Sequence, residues 1–444
     1  MYNILIMNYY KIYTYGCQMN VHESEKIAGM LKELNYIETN DDNLASIIVF
    51  NTCCIRENAE QHAVGNIGAL KPLKKKRKDL IVAVGGCMSQ QNGKAEYLKN
   101  TFPFIDVIFG TSNLNMFKEY LQKRIKTGKK VVEVIDGNYA IDETVKPYRT
   151  SFPNAWVNVM YGCNNFCSYC IVPYVRGREI SREPSAILSE VKELVEKGYK
   201  EITLLGQNVD SYGKTANFNC DFADLLSEIC KIDGKFRIRF MSNHPKDINQ
   251  KLVDVIKNND KICKCIHLPL QSGSTKILGL MNRRYTFEDY FEKVKMLKNA
   301  VPNCAITTDI MVGFPYETEK DFLSTFNAVK DIRFDGAFTF VYSRRKGTKA
   351  NEMDGHIDDL TKKDRIMRLV ELQNDINSQK SLDYVNKTVE VLCEDYDDKK
   401  QMYLGRDEFS KMVYFKSEKS IIGEFIKVKI TKAGGMSLFG EIGE

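Results

Sequence analysis

Three cysteines, Cys163, Cys167 and Cys170, stand within eight residues of one another. A loop this short can turn three thiolates onto one inorganic cluster. A 4Fe–4S cube has four irons, so three protein ligands leave one iron open to the N and O donors of a substrate or cofactor. The bland alternatives are a zinc site or three buried thiols. Zinc asks for a fourth ligand, and this loop holds neither a histidine nor a fourth cysteine, so the cluster is favoured. A second set, Cys17, Cys53 and Cys87, is dispersed at intervals of 36 and 34 residues, about one β/α/β unit each. Each follows an apolar strand pattern, and the C-terminal ends of adjacent parallel strands are where such sheets gather ligands. Cys54 stands beside Cys53 and makes the middle member ambiguous. Successive residues of an extended segment point opposite ways, so one of the two faces the crevice. Three unrelated buried cysteines remain the alternative for this set, because free cysteine is commonly buried.

The elements that must position these thiols are legible as hydrophobic periodicity. Up to about residue 140, strand patterns at 11–15, 45–51, 80–84 and 106–109 alternate with helical patterns at 23–34 and from 59 into the basic run 71–78. Alternation of this kind implies a parallel sheet covered on both faces. After a looser stretch, 136–153, six strand patterns follow at 156–160, 201–205, 236–241, 265–270, 305–312 and 337–342. Helical patterns at 184–197, 222–231, 287–298 and 319–331 lie between them. Six β/α units point to a partial (β/α)6 barrel with its ligands at the C-terminal strand ends. Residues 361–381 read as one long polar connecting helix, and short strands at 389–393, 402–406, 412–415 and 425–430 as a small β-barrel or sandwich. The expected fold is therefore α/β throughout the first two of three domains, at 1–140, 150–380 and 381–444.

The motifs around these cysteines resemble those of the radical S-adenosylmethionine (SAM) superfamily and, within it, the methylthiotransferases. The C-x-x-x-C-x-x-C loop at 163–170 carries the first resemblance. Tyr15-Gly16-Cys17-Gln18-Met19-Asn20, Asn51-Thr52-Cys53-Cys54-Ile55-Arg56-Glu57 and Gly85-Gly86-Cys87 carry the second. It continues through Leu205-Gly206-Gln207-Asn208-Val209, residues 267–273, residues 308–317 and Tyr342-Ser343, so it covers nearly the whole chain. The N-T-C-x-x-R-E register selects Cys53 over Cys54. The resemblance implies an N-terminal methylthiotransferase domain, a radical SAM domain and a terminal RNA-contacting β-barrel of the TRAM type. It also implies two 4Fe–4S clusters: a radical-generating one on Cys163, Cys167 and Cys170, and an auxiliary one on Cys17, Cys53 and Cys87 whose open iron site carries the sulfur. One SAM would methylate that sulfur and a second would be cleaved to the radical that removes the hydrogen at C2 of an adenine. The Gly-Cys-Gln-Met-Asn form at 16–20 is similar to the branch acting on isopentenylated (dimethylallyl) adenosine next to the anticodon of tRNA. Other branches act on threonylcarbamoyl-adenosine or on a ribosomal protein. A non-catalytic iron–sulfur RNA-binding protein is the more distant alternative.

Further residues have assigned expectations. Gln207 and Asn208, at a strand end, could bond the methionine part of SAM or cap the following loop. Gly313 could admit the adenine by close backbone approach or simply make a turn. Tyr169 could border the adenine or only pack. His244 and His267 read as structural, and no side-chain acid or base is expected to carry the chemistry. Residues 381–444 hold ten Lys and Arg against twelve Asp and Glu, so RNA contact there needs a local patch such as Lys427, Lys429 and Lys432. The runs 71–78, 124–130 and 344–346 are the stronger anion-attracting candidates, each weighed against a solvated face.

Composition bounds these readings. The 444 residues are 43% hydrophobic and 27% charged with a net charge of +6, a globular mixture whose mild basic bias permits a nucleic-acid partner without demanding one. Thirteen cysteines, an odd number, without a convincing export signal at the N-terminus, argue for reduced thiols and metal ligation over disulfides. No run of eighteen apolar residues occurs. The expected setting is the cytoplasm, with tRNA, an electron donor and a sulfur source as partners and no membrane.

Overall fold

The computed structural model describes residues 8–55, 57–137, 139 and 141–443. Arg56 of the 51–57 motif and the first seven residues of the N-terminal stretch lie outside them. Residues 1–150, 160–164 and 170–182 form one compact unit, and residues 151–159, 165–169 and 183–444 form a second.

The first unit is built on a six-stranded parallel sheet. Its order places Asn8–Thr14, Ala45–Thr52 and Ile81–Gly86 side by side, with the short edge strand Tyr36–Glu38 on one flank and Val107–Phe109 and Val131–Glu133 on the other. Alternation along Ala45–Thr52 sends Ile47 and Val49 into one apolar layer, with Ile27 and Leu31 of the helix Gln18–Glu33. Ile48 and Phe50 enter the opposite layer with Val82, Val84 and Leu98. Both faces are thus buried, which is why these strands read as continuous apolar runs. The helical pattern from 59 to 78 is in fact two helices, Glu57–Ala69 and Lys71–Lys76, because Pro72 opens the second. The strands Tyr36–Glu38 and Val131–Glu133 are three residues each, too short to show a period.

The second unit contains two β structures. Asn154–Asn158, Glu201–Leu205 and Arg237–Phe240 form one parallel group, and Cys265–His267, Ala305–Val312 and Gly336–Val341 another. A parallel bridge between Ile238 and Ile262 joins them. The result is six parallel strands in chain order, the expected partial barrel. The helix Gln250–Asn258, absent from the sequence expectation, lies among the connections and buries Leu252, Val253 and Ile256. The long helix is observed at Asp359–Leu382. Beyond it, Thr388–Asp397, Met402–Arg406, Met412–Phe415, Phe425–Gly434 and Ser437–Ile442 close into a five-stranded barrel. The fifth strand, missed in the sequence, pairs with both Met412–Phe415 and Phe425–Gly434 and so closes the ring.

Candidate functional site

In the first unit the three dispersed cysteines meet at one sheet edge. Thr14 pairs with Asn51 and Thr52 with Gly86, so the chain leaves three adjacent strands at one level. Cys53 and Cys87 follow immediately, and Cys17 comes three residues past its strand, at the start of the helix Gln18–Glu33. Two glycines allow this crowding. At Gly16, with φ +104°, an added Cβ would lie 2.5 Å from Cys53 Cβ and 2.6 Å from its Sγ. At Gly86, with φ +94°, it would strike the Thr52 backbone and Asn51 Oδ1. Asparagines stitch the edge together. Asn20 Nδ2 donates to the carbonyls of Tyr15 (2.8 Å) and Thr52 (3.0 Å), and Asn51 Nδ2 donates to that of Asn20 (2.8 Å).

Arg176 is the feature the sequence did not reveal here. It is buried, donating to Glu23 Oε1 at 2.7 Å and Asn20 Oδ1 at 2.7 Å. The thiols of Cys87 and Cys17 lie within its field. The Cys54 thiol donates to Cys87, and this contact, with help from Arg176, holds Cys87 below the ordinary thiol range. The same hydrogen bond, reinforced by burial, pushes Cys54 up. Cys54 is packed in the apolar layer with Ile67 and Leu70, while Cys53 lies against Gly16. The two neighbours therefore point apart, as alternation requires, yet Cys54 still reaches Cys87. An edge bearing three thiols, one of them favoured as thiolate, beside a buried guanidinium fits an anionic iron–sulfur cluster. Among the described residues, no three His, Cys, Asp or Glu side chains already stand at the spacing of a closed ion site.

The 163–170 loop contributes Cys163 and Cys170 to the first unit and Cys167 to the second. Cys163 and Cys167 are buried and Cys170 is half-buried. In the second unit the segment 281–283 clasps the loop. Ser168 N donates to the Met281 carbonyl (3.0 Å), and Asn282 Nδ2 donates to the carbonyls of Phe166 (2.9 Å) and Asn165 (3.3 Å). Arg283 Nη1 lies 3.3 Å from Cys167 Sγ. Nothing in the pattern Asn282-Arg283-Arg284 marked that role.

The C-terminal ends of three of the six strands carry buried polar atoms without partners: Asn208 Oδ1, Asn243 Oδ1, His244 Nε2 and the Tyr342 hydroxyl. Such atoms call for a bound partner, and a nucleoside-bearing amino acid such as SAM has the donors and acceptors to satisfy them. Asn208 Nδ2 is held by Asp247 Oδ2 at 2.8 Å, and Gln207 is half-exposed beside it. Asp210, unnoticed in the sequence, is buried there, and desolvation pushes its carboxyl up to about 7 against hydrogen bonds from His244 N and Asn243 Nδ2. Burial keeps His244 neutral. His267 bonds Thr307 Oγ1 (3.0 Å) and lies 3.5 Å from Asp309. Gly313 has φ +73°, and the space a Cβ would take is filled by the Lys362 side chain. Its N–H is held by Glu317 at 2.7 Å. Tyr169 packs edge-on against Phe314, which meets Tyr342.

The basic candidates divide. In the run 71–78 Lys74, and in the run 124–130 Arg124, both bind the buried Asp106, whereas Lys75, Lys76, Lys126 and Lys129 are exposed. On the terminal barrel Lys427 and Lys429 are exposed, in register with Glu390 and Glu441 of the adjacent strands, while the Glu390 carboxylate is taken by Lys235 at 2.7 Å. The local patch of Lys427, Lys429 and Lys432 thus stays on the surface.

Comparison with known proteins accords with this arrangement. Residues 9–110 match the uncharacterized protein family UPF0004, residues 157–329 the Radical SAM superfamily and residues 383–442 the TRAM domain. The tRNA-2-methylthio-N(6)-dimethylallyladenosine synthase of Clostridium tetani is 51% identical over 97% of this chain and 95% of its own. That of Thermoanaerobacter pseudethanolicus is 47% identical over 98% of this chain and 93% of its own. A radical SAM methyltransferase structure, TsrM from Kitasatospora setae, shares the fold at TM-score 0.57 with 14% identity, covering 78% of this chain and 77% of that one. The chain is thus an enzyme, a transferase whose cofactors are SAM and 4Fe–4S clusters, and with identity near one half over almost its full length it belongs to the family of tRNA-2-methylthio-N(6)-dimethylallyladenosine synthases.

Proposed function

We propose that the protein converts N6-dimethylallyl-adenosine next to the anticodon of tRNA to its 2-methylthio derivative. The observation that carries this reading is the Cys17, Cys53 and Cys87 edge, in a chain about half identical to synthases of that name. The cofactors, when bound, supply one-electron cleavage of SAM, hydrogen removal from carbon and a methylated sulfur for transfer. The chain's own residues hold and orient them. Cys163, Cys167 and Cys170 are the proposed ligands of the radical-generating cluster, with Asn282 and Arg283 fixing the Cys167 part of the loop. Cys17, Cys53 and Cys87 are the proposed ligands of the auxiliary cluster, with Arg176 balancing negative charge at Cys87 and Cys17. Asn208 and Gln207 would hold the amino-acid end of SAM, and Gly313 and Tyr169 are the proposed contacts for its adenosyl end. No side chain is assigned as a general acid or base.

The protein works in the cytoplasm as three functional domains, 1–140, 150–380 and 381–444, drawing on a one-electron donor and a sulfur source. No helix among the described residues is long and apolar enough to cross a membrane. Mass spectrometry of tRNA nucleosides from cells with and without the gene tests the assignment. Loss of the 2-methylthio-dimethylallyl nucleoside with accumulation of its unthiolated precursor is expected. Loss of only the threonylcarbamoyl counterpart would move the protein to another branch.

A further inference from the structure

Six arginines of the described residues are buried. Five face a carboxylate: Arg176 with Glu23, Arg182 with Glu143, Arg237 with Glu390, Arg239 with Glu201 and Arg365 with Glu317. The sixth, Arg283, does not. Its Nε donates to the Tyr285 hydroxyl (3.0 Å), Nη2 to the Pro269 carbonyl (3.3 Å) and Nη1 to Cys167 Sγ (3.3 Å). Tyr285 is itself anchored, donating to the carbonyls of Pro269 and Leu270 at 3.1 Å each. The guanidinium is therefore held in one pose, 5% exposed, by neutral groups. A buried cation without a counter-charge is strongly destabilising; burial keeps the neighbouring Tyr285 phenol protonated, so the counter-charge falls to the Cys167 sulfur as a cluster ligand.

We propose that Arg283 is a positioning residue of the radical-generating cluster: it gives a charge-assisted hydrogen bond to the Cys167 ligand sulfur and raises the cluster's reduction potential. The inference rests on the assignment of Cys163, Cys167 and Cys170 to that cluster. Hydrogen bonds and positive charge at a ligand sulfur stabilise the more negative, reduced cube. The electron comes from the low-potential donor the enzyme requires, and it stays on the cluster while Arg283 keeps its proton. The Tyr285 and Pro269 contacts serve the same end, because they stop the fork from turning away.

The test is an EPR-monitored redox titration of the anaerobically reconstituted holoenzyme with dithionite, following the reduced-cluster signal that SAM perturbs. In Arg283→Gln the reduced fraction at a fixed potential is expected to fall by about tenfold, and Arg283→Lys, which keeps the charge, to recover most of it. An unchanged or larger reduced fraction in Arg283→Gln with the cluster retained overturns the inference and leaves the ligand assignment standing. If the wild-type protein shows no SAM-perturbed signal, the assignment falls and the inference with it. Should Arg283→Gln not fold, pulsed EPR of wild-type protein labelled with 15N-arginine decides. A guanidinium nitrogen coupled to the reduced cluster, and lost in Arg283→Lys, is expected; its absence in the wild type overturns the proposal.

Discussion

Cys53 and Cys54 separate two demands that sequence places side by side. Cys53 lies against Gly16, next to Cys17, whereas Cys54 is sunk in the apolar layer that also holds Cys87, and its thiol donates to Cys87. Cys54→Ser should therefore keep its iron and its methylthiolation, although a hydroxyl in that layer costs about 1–2 kcal/mol of stability. Cys53→Ser should lose about half of the roughly eight irons expected for two cubes. Iron analysis of the reconstituted variants checks both, and the reverse order would move the ligand to Cys54. The two triads should also divide the chemistry. The Cys17→Ala/Cys53→Ala/Cys87→Ala protein is expected to form 5′-deoxyadenosine under reducing conditions and no methylthio product. Loss of Cys163, Cys167 and Cys170 should remove both. Chromatography of the nucleosides reads each product, with circular dichroism as the control for folding.

Among the elements, the connection from the first strand to the helix Gln18–Glu33 is the most constrained. Gly16 combines a left-handed φ of +104° with contact against Cys53. Gly16→Ala adds a conformational penalty of about 1–2 kcal/mol and drives a methyl group into the Cys53 side chain. The expected outcome is a folded protein with lost or labile auxiliary iron and an intact SAM-perturbed signal. Iron content and EPR of that variant would show it; full retention of both clusters would mean the edge is looser than its contacts indicate.

On the scale of the second unit, the five-stranded barrel is fastened to the partial barrel by charge. Arg239 grips Glu201 through two hydrogen bonds of 2.9 Å, Arg406 reaches both Glu201 and Glu394, and Arg237 donates to the carbonyls of Glu390 and Arg406. Burial alone would raise the Glu201 carboxyl, but Arg239, with Arg406 and Arg237, holds it at about 2. Asp407 behaves oppositely. Burial pushes it up to about 6 from 3.8, despite hydrogen bonds from Lys411 N and Phe409 N, and its Oδ2 has no partner. A raised carboxyl binds its proton more tightly in the folded state, so its contribution weakens as pH rises from about 3.8 to about 6. Glu201 is lowered, so its contribution is present above its unfolded value and is lost only toward about 2. Asp407→Asn should therefore stabilise the unit by about 2–3 kcal/mol near pH 7 and by almost nothing near pH 4. Urea denaturation at the two pH values measures the difference; an equal effect at both would refute the assignment of the shift to Asp407.

The two cysteine triads, the six strands of the partial barrel and the small terminal barrel are local properties of the chain. They are written in cysteine spacing, in apolar runs long enough to show a period and in turn residues, and all of these survive in a linear reading. The side-by-side placement of the three strands that precede Cys17, Cys53 and Cys87 was implied as well, because successive parallel strands tend to be neighbours, whereas the edge strand Tyr36–Glu38, out of chain order, was not. Tertiary structure decided what depends on partners far apart in the chain. Arg176 reaches Asn20 and Glu23 across more than 150 residues, and Arg283 reaches Cys167 across 116. Both are unremarkable basic residues until the fold removes water from them and leaves a thiol as neighbour. Glu390 shows the same thing: its cross-strand neighbour is Lys427, yet its carboxylate binds Lys235, 155 residues away in the chain. Pattern fixes which elements form, whereas the charge at a site depends on which side chains the packing brings together and how much solvent it leaves between them.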